Sequence, residues 1–158
     1  MVTFDRLGNP IMESEVVIPY ELALGATWSR FFDGLKERKV LATKCQSCGR
    51  VLAPARAFCP RCFMDMEEWL EVPAEGIVEG WVLVNYKYFG MPTKAPFISA
   101  LIRLDGTDCG FIHLLGGFEM EDIETARKHV WNGLRVKAVW SEARAGHIMD
   151  IKYFTPAA

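Results

Sequence analysis

A mainly β fold is predicted for this chain: an N-terminal helical segment, a compact ribbon built around four cysteines, and a small closed β-barrel carrying one helix. Three observations predict it. Cys45, Cys48, Cys59 and Cys62 fall in one run with the spacing C-x2-C-x10-C-x2-C. Before that run apolar residues recur at the helical period, and after it they alternate in short segments punctuated by glycine. Composition fits one or two small folded domains, since 51% of the 158 residues are hydrophobic, 24% are charged and the formal net charge is -2. No stretch reaches the roughly 18 uncharged apolar residues of a membrane span. The first residues, MVTFDRLGNPIMESE, lack the basic-then-apolar order of a secretion signal. The cytoplasm, where thiols stay reduced, is the expected location.

Residues 1–39 make the first part, an arm followed by an amphipathic helix. Trp28, Phe31, Phe32 and Leu35 recur at i, i+3, i+4 and i+7, while Arg30, Asp33, Lys36 and Glu37 take other faces. Thr27 is the expected N-cap. The aromatic stripe can pack on the chain's own core or grip a partner through Trp28, Phe31 and Phe32. The preceding SEVVIPYELALG is apolar and contains a proline, as an edge strand or an extended subunit-tying arm would.

Residues 40–66 are the ribbon. Each C-x2-C pair closes a tight turn that aims two sulfurs at one point, and two such turns supply the four thiolates that zinc takes in a tetrahedron. Gly49 and Pro60 suit those turns, and short strands are expected around KVLATK and RVLAP. Cys45, Cys48, Cys59 and Cys62 are therefore the expected ligands of a closed, structural Zn2+ with no open coordination position. The same geometry would hold iron in a rubredoxin-like electron carrier. Disulfides are a third reading, opposed by a chain long enough to bury a core unaided. Residues 39–64 hold Lys39, Lys44, Arg50, Arg56 and Arg61 and no acidic side chain. These cations either compensate the thiolates or attract phosphates.

Residues 67–158 read as strands with one helix. Gly76 and Gly80 punctuate the first two strand segments, PFISALIRLD and CGFIHLLGG are expected to form a hairpin around Asp105-Gly106, and LRVKAVWSEA and HIMDIKYF make the last pair. EMEDIETARKHV carries acids early and bases late, the order a helix dipole favours. Five or so strands with a helix before the last pair suggest a barrel of the OB type, although another five-stranded barrel would satisfy the pattern.

The order of WSRFFDGLKERK, APARAFCPRC, APFISALIRLDG and a terminal YFTP resembles the DUF35 family of zinc-ribbon plus OB-fold proteins associated with acyl-CoA metabolism. The resemblance runs from about residue 20 to residue 156. It extends to small subunits of two-component thiolases such as benzoylsuccinyl-CoA thiolase. What it implies is a non-catalytic accessory subunit, docked on a thiolase-type catalytic chain in a hetero-oligomer with two copies of each, that helps shape an acyl-CoA site. On that reading Lys44, Arg50, Arg56 and Arg61 are candidates for the CoA phosphates, which arginine and lysine bind through charge-assisted hydrogen bonds.

The remaining residues carry little chemistry. Cys109 is the fifth cysteine and reads as a small buried strand residue rather than a nucleophile. His113 alternates into an apolar strand, as a satisfied core histidine does, and His129 sits at a helix end. A single-stranded nucleic-acid module is the main rival, because ribbons and OB barrels both occur in such proteins. Charge opposes it: residues 67–158 hold 13 acidic and 9 basic side chains, whereas a groove tracking phosphates is expected to be positive. Tyr86 and Tyr88, which could stack bases, are expected on one packed barrel face.

Overall fold

The computed structural model describes residues 2–12, 16 and 18–157. A short hairpin opens the chain, β1 (Val2–Phe4) against β2 (Pro10–Met12), turned by the Asp5 carboxylate, which accepts from the Leu7 and Asn9 amides. Sequence reasoning did not anticipate it. Of the segment SEVVIPYELALG, Ser14, Glu15 and Val17 lie outside the described residues; the described remainder forms no strand. Val16, Ile18, Tyr20 and Leu22 are exposed along it.

Helix α1 (Gly25–Lys36) starts two residues before Thr27, and no side chain caps it. Its inner face is set by Phe31 and Leu35, 2% and 0% exposed. Burying such side chains stabilises by roughly 1.5–3 kcal/mol each. Gly34 has a packing reason, because a Cβ there would meet the Leu41 side chain at 2.7 Å. Arg30 lies over the Trp69 ring at 4.3 Å, and the Arg144 guanidinium donates to the Lys36 carbonyl, so the helix is tied down at its middle and at its C-terminal end.

The ribbon sheet runs β4 (Val51–Leu52), β3 (Val40–Lys44), β5 (Glu68–Val72), all antiparallel. Its third strand thus comes from beyond the last cysteine. The next five strands are β6 (Glu75–Val84), β7 (Phe97–Leu104), β8 (Gly110–Leu115), β9 (Arg135–Trp140) and β10 (Ile151–Pro156). They close into a barrel in the order β10-β8-β7-β6-β9, with β9 against β10 and β8 parallel to β10. Helix α2 (Ile123–His129) bridges β8 to β9. Asp122 caps it by accepting from the Thr125 amide at 2.7 Å, and Arg127, Lys128 and His129 close its last turn. This is the expected OB arrangement.

Three local expectations are corrected. HIMDIKYF begins as a 3-10 turn (Ile148–Asp150), because the buried Asp150 carboxylate gathers the amides of Ala145, Gly146 and His147; the strand starts only at Ile151. Cys109 lies in the turn before β8 rather than in the strand. Tyr86 and Tyr88 lie beyond the end of β6, exposed, with ring centroids 5.9 Å apart. Packing joins the parts: Phe31 and Leu35 of α1, Val40, Ala42 and Val72 of the ribbon sheet, and Val78, Ile98, Ile102, Phe111 and Phe154 of the barrel belong to one apolar cluster.

Candidate metal centre and basic ribbon face

Two equivalent turns hold the four sulfurs. In the first, the Gly49 amide donates to the Cys45 carbonyl at 2.8 Å and the Cys45 amide to the Arg50 carbonyl at 2.9 Å. In the second, the Phe63 amide donates to the Cys59 carbonyl at 2.9 Å and the Cys59 amide to the Met64 carbonyl at 2.8 Å. The residue after each second cysteine is left-handed, Gly49 at φ +73° and Phe63 at +56°. Glycine takes that conformation freely, whereas Phe63 is held in it by the turn.

All four sulfurs lie within 4.8 Å of one another, and Cys48 Sγ is 3.8 Å from Cys59 Sγ. A tetrahedron with metal–sulfur bonds of about 2.3 Å places its sulfurs about 3.8 Å apart, so the donor set fits zinc. No pair is bridged. The Cys62 amide, aided by that of Arg61 and by the neighbouring thiols, lowers the Cys59 thiol to about 7 against the opposing effect of burial, which favours the thiolate a metal needs. Leu52, Met66 and Cys109 pack around the cluster, in which Cys45 and Cys59 are buried and Cys48 and Cys62 partly so.

The four cations proposed for phosphates separate into two kinds. Lys44 pairs with Glu68 at 3.4 Å, and the Arg50 guanidinium donates to the Asp108 carbonyl at 2.9 Å. Arg56 and Arg61 are exposed and in no ion pair among the described residues. Arg56 also lines two adjoining clefts with Trp28. The larger, about 430 Å³, reaches Phe32, Pro54 and Ile112. Of the aromatic trio, Trp28 is 46% exposed and meets Phe32 edge-on at 6.0 Å, while Phe31 lies in the chain's own core.

The other polar candidates are engaged in the fold. Cys109 Sγ donates to the Ala53 carbonyl and accepts from the Ala53 amide, at 3.2 and 3.3 Å. His113 Nδ1 accepts from the Leu114 amide, which leaves Nε2 to donate to the Ile148 carbonyl at 3.1 Å. Burial pushes its pKa down, so the ring is neutral. His129 stacks on Phe118, and His147 caps the turn at Ile148–Asp150.

Sequence reasoning missed the Asp108–Cys109 clasp on the ribbon and two lysines, Lys94 and Lys152, that line one barrel cleft. Neither has a local signal. Both arise from contacts that only barrel closure creates.

A family model described as the ChsH2 rubredoxin-like zinc ribbon domain matches residues 32–66, and one described as the ChsH2 C-terminal OB-fold domain matches residues 69–141. Together they span about two thirds of the chain. The chain belongs to the ChsH2, or DUF35, family. A DUF35 domain-containing scaffold protein of Methanocaldococcus jannaschii is 32% identical over 73 residues, which is 45% of this chain and about half, 52%, of that protein's length. A DUF35-family protein of unknown function from Sulfolobus solfataricus is 27% identical, with a TM-score of 0.56 over 73% of this chain and 78% of its own. A chain of an Ltp2-ChsH2(DUF35) aldolase structure shares the fold at 20% identity, with a TM-score of 0.60 over 82% of this DUF35 chain and 94% of its own. No helix among the described residues is long and apolar enough to cross a membrane.

Proposed function

We propose that this chain is a non-catalytic accessory subunit of an acyl-CoA enzyme, a thiolase-type acyltransferase, and that it docks on the catalytic chain in a hetero-oligomer with two copies of each. The observation that carries this reading is the commitment of Cys109 and His113 to the fold: the sulfur is bonded both ways to Ala53, and both ring nitrogens are taken. A thiolase needs a cysteine nucleophile with an acid–base partner, and those groups are expected in the other chain. The scaffold-protein relative supports the accessory role.

When bound, zinc cross-links the two cysteine turns and fixes the backbone that displays Arg56 and Arg61. Trp28 and Phe32 supply the docking surface, and the two open arginines reach the CoA phosphates near the joint. The test is to express the chain with and without a thiolase-type partner and to measure thiolysis of an acyl-CoA. Dependence on both chains supports the reading, and full-rate activity of the partner alone defeats it.

A second reading has a specific observation behind it, since the Ltp2-ChsH2(DUF35) assembly of like fold is an aldolase. Carbon–carbon cleavage of a 3-hydroxyacyl-CoA by the assembled pair, with no thiolysis, would select that partner class.

A further inference from the structure

The outer face of β6, β7 and β8 carries a cleft that the accessory role does not use. Strand alternation turns Phe111, His113 and Leu115 into the barrel and leaves Ile112 and Leu114 outside, with Ile112 70% exposed. A first section of about 380 Å³ is lined by Val84, Phe97, Ile112, Leu114, Ile148 and Met149, with Tyr88 and Ser99 beside them. The two ring nitrogens of His113, which also borders it, are already bonded within the fold. A second section of about 360 Å³ adjoins the first, with Pro92, Phe97, Leu114 and Met149 lining both. Lys94 and Lys152 line it, both exposed and in no ion pair among the described residues. No aspartate or glutamate lines either section.

An apolar trough with two lysines and no carboxylate along its second section matches one ligand chemistry. We propose that this cleft binds a single-chain amphiphile, its tail along the first section and a carboxylate or phosphate head at Lys94 and Lys152. Burial from water drives the tail in, and the head gains charge-assisted contacts from two ammonium groups that no carboxylate among the described residues pairs, Lys152 Nζ lying 5.7 Å from the Tyr153 ring centroid. A cationic head meets like charge, and a neutral one leaves both ammonium groups without a counter-ion. This inference concerns what the chain binds alone and does not depend on its having a catalytic partner.

The test is calorimetry of the full, zinc-loaded chain with octanoate, decanoate, dodecanoate, dodecyl phosphate and dodecanol, each below its micelle-forming concentration. One-to-one binding is expected, tightening about three- to fourfold per added methylene. The Lys94→Gln, Lys152→Gln pair should weaken the anions about tenfold and leave dodecanol unchanged. Val84→Trp should fill the first section and abolish binding; should it fail to fold, the exposed lysine pair still decides. Binding of the acid alone or the phosphate alone supports the site and names its head group. No binding by either anion, an affinity indifferent to chain length, or full affinity without the lysines overturns it.

Discussion

Asp108 and Val51 are joined by two hydrogen bonds in opposite directions: the Asp108 amide donates to the Val51 carbonyl, and the Val51 amide donates to the Asp108 carboxylate, both at 2.8 Å. The carboxylate stands in for the missing partner strand at the free edge of β4. Cys109 continues the pairing on Ala53, and Arg50 closes it on the Asp108 carbonyl. A turn of the barrel thereby holds the ribbon edge. Asp108→Ala should lower unfolding stability by about 1–2 kcal/mol, because the Val51 amide loses its acceptor. Asp108→Asn keeps one oxygen and should recover about half. Equal urea midpoints for Asp108→Ala and the parent would show that the clasp contributes nothing.

Zinc should be present at one ion per chain, in colourless protein, because four thiolates at tetrahedral spacing are closed to further ligands. Among the described residues, Leu52 and Met66 are the only buried apolar side chains clustered with those cysteines. Metal binding is therefore expected to carry much of the ribbon's folding free energy. Removing zinc with a chelator, or Cys48→Ser, should expose ribbon amides to hydrogen exchange while β7 and β8 stay protected. A red protein with the absorption of a ferric tetrathiolate would instead select the electron-carrier reading.

His113 links stability to mildly acidic pH. Its pKa is lowered from 6.5 by burial, with the contacts to Ile148 and Leu114 opposing, so below pH 6.5 the unfolded chain takes up a proton that the native chain resists. The contribution is fully present above 6.5 and is lost as pH falls toward the lowered native value. The slope approaches about 1.4 kcal/mol per pH unit at most. His113→Gln should flatten that part of the profile. A parent stability that stays level from pH 7 to 5 would contradict the assignment of a neutral ring.

What could be read from the residue order, and what could not, divides along physical lines. The four cysteines, α1, α2 and the barrel strands were legible because each rests on a local rule: ligand spacing, a period of 3.6, a charge order along a helix, alternation between turns. Thr27 failed as a cap because Gly25 already begins the helix. HIMDIKYF failed as one strand because Asp150, the fourth residue in it, caps a loop behind itself. The ribbon cations looked alike in sequence, yet Lys44 and Arg50 are drawn to Glu68 and Asp108, neighbours that the sheet and the clasp bring to them.

Trp28 of α1 and Arg56 of the ribbon share the walls of two clefts, the surface proposed to meet a partner and a phosphate. Trp28→Ala should cost little stability, since the ring is half exposed, but should break co-purification with a thiolase-type chain. Phe31→Ala is the contrasting control, costing about 3–5 kcal/mol through a core cavity. Arg56→Ala with Arg61→Ala should leave assembly intact and weaken CoA-ester binding by the complex, with the difference shrinking as salt rises because phosphate contacts are screened. Unchanged CoA-ester affinity at low salt would remove these two arginines from the ligand site, while loss of assembly would move them to the docking surface beside Trp28.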